Sequence, residues 1–93
     1  MRYRGEYKVP GGKLVIAEFM VVAGRLADVR ITGDFFLFPD DALLTIVSSL
    51  IGAPVEALPL SWAERIRSAI AADVEMLGFG PDDVAEAIRR GLA

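Results

Sequence analysis

The run Lys13–Val22 limits what this chain can become more than any other stretch. It is rich in β-branched residues, carries Phe19, and has Glu18 as its one internal charge, which is the composition of a strand. Pro10-Gly11-Gly12 stands before it and Ala23-Gly24 after it. Pro10 fixes its own φ and removes a donor, and Gly11 and Gly12 can take positive φ, so the chain turns there. Ala23-Gly24 reads as a two-residue hairpin turn. Arg2–Val9 and Arg25–Thr32 flank these turns, and both alternate. Tyr3, Gly5 and Tyr7 share one face of the first, and Arg2, Arg4, Glu6 and Lys8 share a polar one. In the second, Ala27, Val29 and Ile31 are expected inward and Asp28, Arg30 and Thr32 outward. Three antiparallel strands in a meander follow.

The central run is apolar on both faces. Val15, Ala17, Phe19 and Val21 lie on one, and Leu14, Ile16, Met20 and Val22 on the other with Glu18. A strand covered on one side only should alternate more clearly, so the second face is expected to meet something outside the chain.

After the meander comes Gly33-Asp34-Phe35-Phe36-Leu37-Phe38-Pro39. Gly33 is suited to a bulge. The phenylalanines read as a connector sealing the open end of the core, with a sharper alternative in which a ring faces a partner. Asp34 among them is expected to accept from backbone N–H groups. A helix follows from Asp40, with Asp41 beside it at the positive end of the dipole, and Gly52 closes it. Leu43, Ile46, Val47, Leu50 and Ile51 form its stripe. Val55–Leu60 reads as a linker. Ser61-Trp62-Ala63-Glu64 matches a capping box, and the helical spacing predicts the longest helix from there to Leu77, with Asp73 at the edge of its stripe. Pro81 suits the first turn of a last helix over Asp82–Gly91, in which Val84, Ala87 and Ile88 face inward. Strands followed by helices make an α+β domain: a small antiparallel three-stranded meander with helices packed on one face, one domain over residues 1–93.

Several function classes fall away on composition. With no cysteine and no histidine, thiolate and imidazole metal sites, disulfides, and Cys- or Ser-His nucleophiles are all excluded. Ten Lys and Arg against 13 Asp and Glu give a net charge of -3, without a basic footprint for nucleic acid. A content of 54% hydrophobic residues is high for 93 residues and points to an interface. No signal core or membrane span is legible near Met1, so the expected location is cytoplasmic. Gly12-Lys13 is no P-loop, because Leu14 and a strand follow where a hydroxyl and a helix are needed. Lys8 and Lys13 flanking the glycines either make a small anion site or are solvated turn residues.

Lys8-Val9-Pro10-Gly11-Gly12-Lys13-Leu14, the meander, and Ile31-Thr32-Gly33-Asp34-Phe35-Phe36 together resemble the accessory domain of lipoate–protein ligases. That domain is C-terminal in many bacterial ligases and a separate small subunit in some archaea and bacteria. The start at Met1, close to the first strand, fits the separate form. The resemblance implies a heterodimer with a catalytic subunit that binds ATP, Mg2+ and lipoate, with no cofactor bound by this chain alone. The accessory domain is needed for activation of lipoate to lipoyl-AMP and less for transfer to the acceptor lysine of a lipoyl domain. It carries no catalytic residue. Lys8, Gly11, Gly12 and Lys13 are then expected to approach the partner's active site. Leu14, Ile16, Met20, Asp34, Phe35 and Phe36 are expected at the partner interface. The competing readings are a small scaffold or carrier-type binding protein, whose sulfur-carrier form the missing thiol argues against, and a free-standing hydrolase or transferase using Asp34 and a lysine.

Overall fold

The computed structural model describes residues 1–93. Strands β1 (Arg2–Lys8), β2 (Leu14–Val22) and β3 (Arg25–Gly33) form the expected antiparallel meander in the order β1-β2-β3. Ala23 and Gly24 both have positive φ, 52° and 75°, which is the backbone a two-residue hairpin demands. Val15, Ala17 and Phe19 are fully buried on the inner face, while Leu14, Ile16, Glu18 and Met20 are half-buried on the other.

Ala27 does not point inward as its alternation suggests; Leu26 does, at 1% exposure. Glu18 pairs with Arg30 but Met20 pairs with Ala27, so β3 carries an extra residue there. Asp28 takes φ 46° in this bulge, which shifts the alternation by one and brings Leu26, Val29 and Ile31 to the same side. Arg2 donates to the Asp28 carboxylate at 2.6 Å and to its carbonyl at 3.1 Å, tying the bulge to the far strand.

The connector of phenylalanines is itself a strand. β4 (Phe36–Phe38) pairs with β5 (Glu75–Leu77) in a separate two-stranded sheet, Phe36 opposite Leu77 and Phe38 opposite Glu75. The predicted long helix is correspondingly shorter. α1 (Ala42–Leu50) precedes α2 (Pro59–Ala69), and α2 ends where Ile70 turns extended, leaving Asp73, Val74 and Leu77 outside any helix. Pairing with β4 overrides the helical spacing of those residues. The start of α2 also differs. Pro59 occupies its first turn with Leu58 as N-cap, and the Ser61 hydroxyl donates to the Leu58 carbonyl at 2.8 Å, so Ser61 caps nothing and Pro59-Leu60 are not linker. Asp40 lies in a turn before α1, and Asp41 makes no side-chain cap bond.

α3 (Pro81–Leu92) lies against β1 and β2, α1 against β3, and α2 spans the two helices. Gly5 is buried under α3; a Cβ there would run into the Ala87 carbonyl and the Gly91 backbone. Arg90 sits 4.7 Å over the Tyr7 ring, and Tyr3 stacks on Phe19 at 5.5 Å. Trp62, Ile66, Val84 and Ile88 fill the space between helices and sheet, and the Trp62 indole donates to the Pro54 carbonyl at 2.9 Å. All buried side chains of the core are apolar. Helices therefore cover one face of the meander, as expected. No helix is long and apolar enough to cross a membrane.

Candidate functional site

Three segments distant in sequence meet at one end of the molecule: the turn Val9–Lys13, the stretch Gly33–Phe38 and the stretch Glu75–Phe79. The turn is not loose backbone. The Gly12 N–H donates to the Val9 carbonyl at 2.8 Å, and the Val9 N–H to the Lys13 carbonyl at 3.0 Å. The Lys13 N–H donates to the Gly78 carbonyl at 2.9 Å, which docks the turn on the end of β5. Gly12 permits that approach, since a Cβ would stand 2.5 Å from the Gly78 oxygen. Gly78 reciprocates with φ 87°, its α-hydrogen side turned to the Lys13 stem. Gly11 takes φ 71° over open space.

The two lysines separate in role. The Lys8 ammonium folds back on the Gly12 and Val9 carbonyls and closes the turn. Lys13 is exposed and its ammonium has no ion-pair partner in the chain. Asp34 does what its turn setting suggests: its carboxylate accepts from the Leu14 N–H at 2.7 Å. That bond joins the start of β2 to the phenylalanine stretch.

Phe35 and Phe36, both expected at an interface, have different fates. Phe35 stacks on Phe79 with centroids 3.9 Å apart and packs against the core. Phe36 is 57% exposed, beside Phe38 at 49% and Leu77 at 50%. The register puts these three on one face of the β4–β5 ribbon, with Leu37 and Met76 on the inner face. Ile16 and Met20 lie elsewhere, on the uncovered side of the meander. There the Arg4–Glu6 and Arg2–Asp28 ion pairs, Glu18, Arg30 and Thr32 surround them. Phe38, Leu77, Gly78 and Phe79 belong to this end of the molecule and were not singled out from sequence as site residues; nothing local to Gly78 and Phe79 tells what they dock against.

No three carboxylates gather in a way that could hold a metal ion. An open groove of about 830 Å³ lies between α1 and α2, lined by Ser49, Leu58, Leu60, Arg65 and their neighbours, on a different part of the surface. The Arg65 guanidinium is already engaged by the Ser49 carbonyl at 2.8 Å.

No family model matches the chain. It is similar to "Lipoate-protein ligase A subunit 2" of Thermoplasma acidophilum, with 29% identity over 89 residues that cover 96% of this chain and 89% of the relative. Its fold matches a chain in the solved structure of an archaeal lipoylation system from the same organism, described as a bi-partite lipoate protein ligase and its E2 lipoyl domain. The TM-score is 0.74, with 26% sequence identity and 96% of both chains covered. The resemblance carried by Lys8–Leu14 and Ile31–Phe36 therefore extends along nearly the whole chain in sequence and in fold.

Proposed function

We propose that this chain is the accessory subunit of a two-part, ATP-dependent lipoate–protein ligase, and that it forms a heterodimer with the catalytic subunit in the cytoplasm. The observation that carries this reading is the extent of the likeness, which spans 96% of the chain and is not confined to one motif. The reaction has two steps. Lipoate attacks the α-phosphate of ATP to give lipoyl-AMP and pyrophosphate, and an acceptor lysine then takes the lipoyl group and releases AMP. The accessory chain serves the first step. ATP, Mg2+ and lipoate bind to the catalytic subunit.

What the chain contributes is a positioned turn. Lys13 projects from a backbone held against Gly78, so the base of its side chain is fixed at this end of the molecule. A lysine near the phosphates of a closed site offsets their charge best where water is excluded. Lys8 holds the turn's shape.

The test is lipoyl-AMP and pyrophosphate formation by the catalytic subunit with and without this chain, alongside transfer from supplied lipoyl-AMP. Activation is expected to depend on the chain, and transfer to proceed largely without it. Lipoyl-AMP made by the chain alone, or activation indifferent to it, would overturn the proposal.

A further inference from the structure

We infer that the outer face of the β4–β5 ribbon, formed by Phe36, Phe38 and Leu77, is where this chain docks on its catalytic subunit; this rests on the function proposed above. Four observations converge on it. The first is apolar exposure. Two aromatic rings and a leucine, each about half exposed, sit together on one face of one small sheet, in a cross-strand arrangement. Such contiguity marks an interaction surface where single exposed side chains do not.

The second is incompleteness. The ribbon has three residues per strand and a single ladder. No backbone bond from Phe36–Phe38 or Glu75–Leu77 runs anywhere but between the two strands. Two-stranded ribbons this short depend on what they pack against, and their open edges are ready to accept another strand. The inner face is settled by Leu37 and Met76 against the core; the outer face is not.

The third is charge. Within 33–49 and 70–80 every charged residue is acidic: Asp34, Asp40, Asp41, Asp73 and Glu75. These segments hold five carboxylates in a chain whose net charge is -3, so the remainder is net positive. The fitting occupant presents an apolar strip rimmed by Lys or Arg. The fourth is continuity with the proposed site. Gly78, directly after β5, accepts from the Lys13 N–H, so a partner seated on the ribbon has the turn at its border.

The other surfaces fit less well. On the uncovered meander face Leu14, Ile16 and Met20 are half-buried and interleaved with ion-paired side chains. The α1–α2 groove also exposes Leu58 and Leu60, but no bond ties it to the Lys13 turn, and its arginine is already satisfied.

The experiment measures association of the intact chain with its purified catalytic subunit by calorimetry, comparing wild type with Phe36→Asp and Leu77→Asp, after circular dichroism confirms the fold. Each is expected to weaken binding by about tenfold or more, the scale for a central apolar anchor. Phe36→Ser and Leu77→Ser replace any variant that does not fold. Glu75→Lys and Asp40→Lys are expected to reduce the salt dependence of association. Hydrogen exchange needs no variant: amides of 36–38 and 75–77 are expected to slow in the complex. Wild-type binding with unaltered affinity in the folded variants, or unchanged exchange in the ribbon, overturns this surface and leaves the proposed function standing. A patch that instead mediates self-association, or that binds the acceptor lipoyl domain alone, also overturns it. No binding of the wild-type chain to the catalytic subunit overturns the proposed function itself.

Discussion

Replacing Gly12 by alanine tests how the turn is held. The new Cβ would stand 2.5 Å from the Gly78 carbonyl oxygen and 2.9 Å from the Val9 side chain, where 3.4 Å is the near limit of ordinary contact. The turn must therefore back away from β5 by roughly 0.9 Å, the gap between those two distances to oxygen. Overpacking of this kind costs about 1–3 kcal/mol. The Lys13 N–H bond to Gly78, at 2.9 Å, is stretched or lost, for about 1 kcal/mol more. Alanine returns about 0.4–1 kcal/mol by restricting the unfolded chain. The net loss is about 2 kcal/mol, which for a domain of this size lowers Tm by roughly 10 °C. Thermal unfolding followed by circular dichroism reads it directly. Gly11→Ala is the comparison: its φ of 71° strains alanine, but nothing lies within 4 Å of the new Cβ, so the turn stays docked. If Gly12→Ala melts with wild type, the clamp between the turn and β5 does not exist and the positioning argument fails with it.

Three other outcomes follow from named contacts. Lys13→Ala is expected to slow lipoyl-AMP formation by roughly ten- to a hundredfold, the scale of one charge-assisted contact, while transfer from supplied lipoyl-AMP and affinity for the catalytic subunit are nearly unchanged; a matching loss of affinity in calorimetry would point to a broken interface. Trp62→Phe removes the donor to the Pro54 carbonyl and leaves a gap in the core, so the denaturant midpoint should fall by the equivalent of about 2 kcal/mol. Glu86 accepts from Arg89 at 2.7 Å and from Arg90 at 2.9 Å, and these bonds, Arg89 first, hold its pKa down at about 2 against 4.5 in the unfolded chain. Its contribution is fully present above pH 4.5 and is lost as pH falls toward 2, so urea midpoints of wild type and Glu86→Gln should converge across that window.

The meander and α3 were legible because their signals are local. Positive-φ turns at Ala23-Gly24 and around Gly11, and a proline at Pro81 opening α3, act within a few residues. β4 and β5 were not, for a physical reason. Three residues are too few to show a period, and Phe36 finds its partner Leu77 only once α1 and α2 have been folded in between. Ile70, Val74 and Leu77 keep helical spacing by accident of sequence, and cross-strand pairing wins over it. Leu26 was hidden by the bulge at Asp28, since one extra residue inverts the reading of which side chains face inward. At the site, Asp34 was legible as a backbone acceptor, but Gly12 was read as a flexible turn residue because the oxygen it makes room for, that of Gly78, lies far along the chain. Phe35 and Phe36 are neighbours of one type, and only the register decides that one stacks on Phe79 and the other faces out.

The most direct measurement is a titration of this chain into a fixed amount of catalytic subunit with saturating ATP and lipoate, reading the initial rate of pyrophosphate release. A subunit that completes the activating enzyme gives a rate that rises with added chain and saturates at one chain per catalytic subunit. A rate that is independent of the chain, or that rises without saturating, would contradict the account.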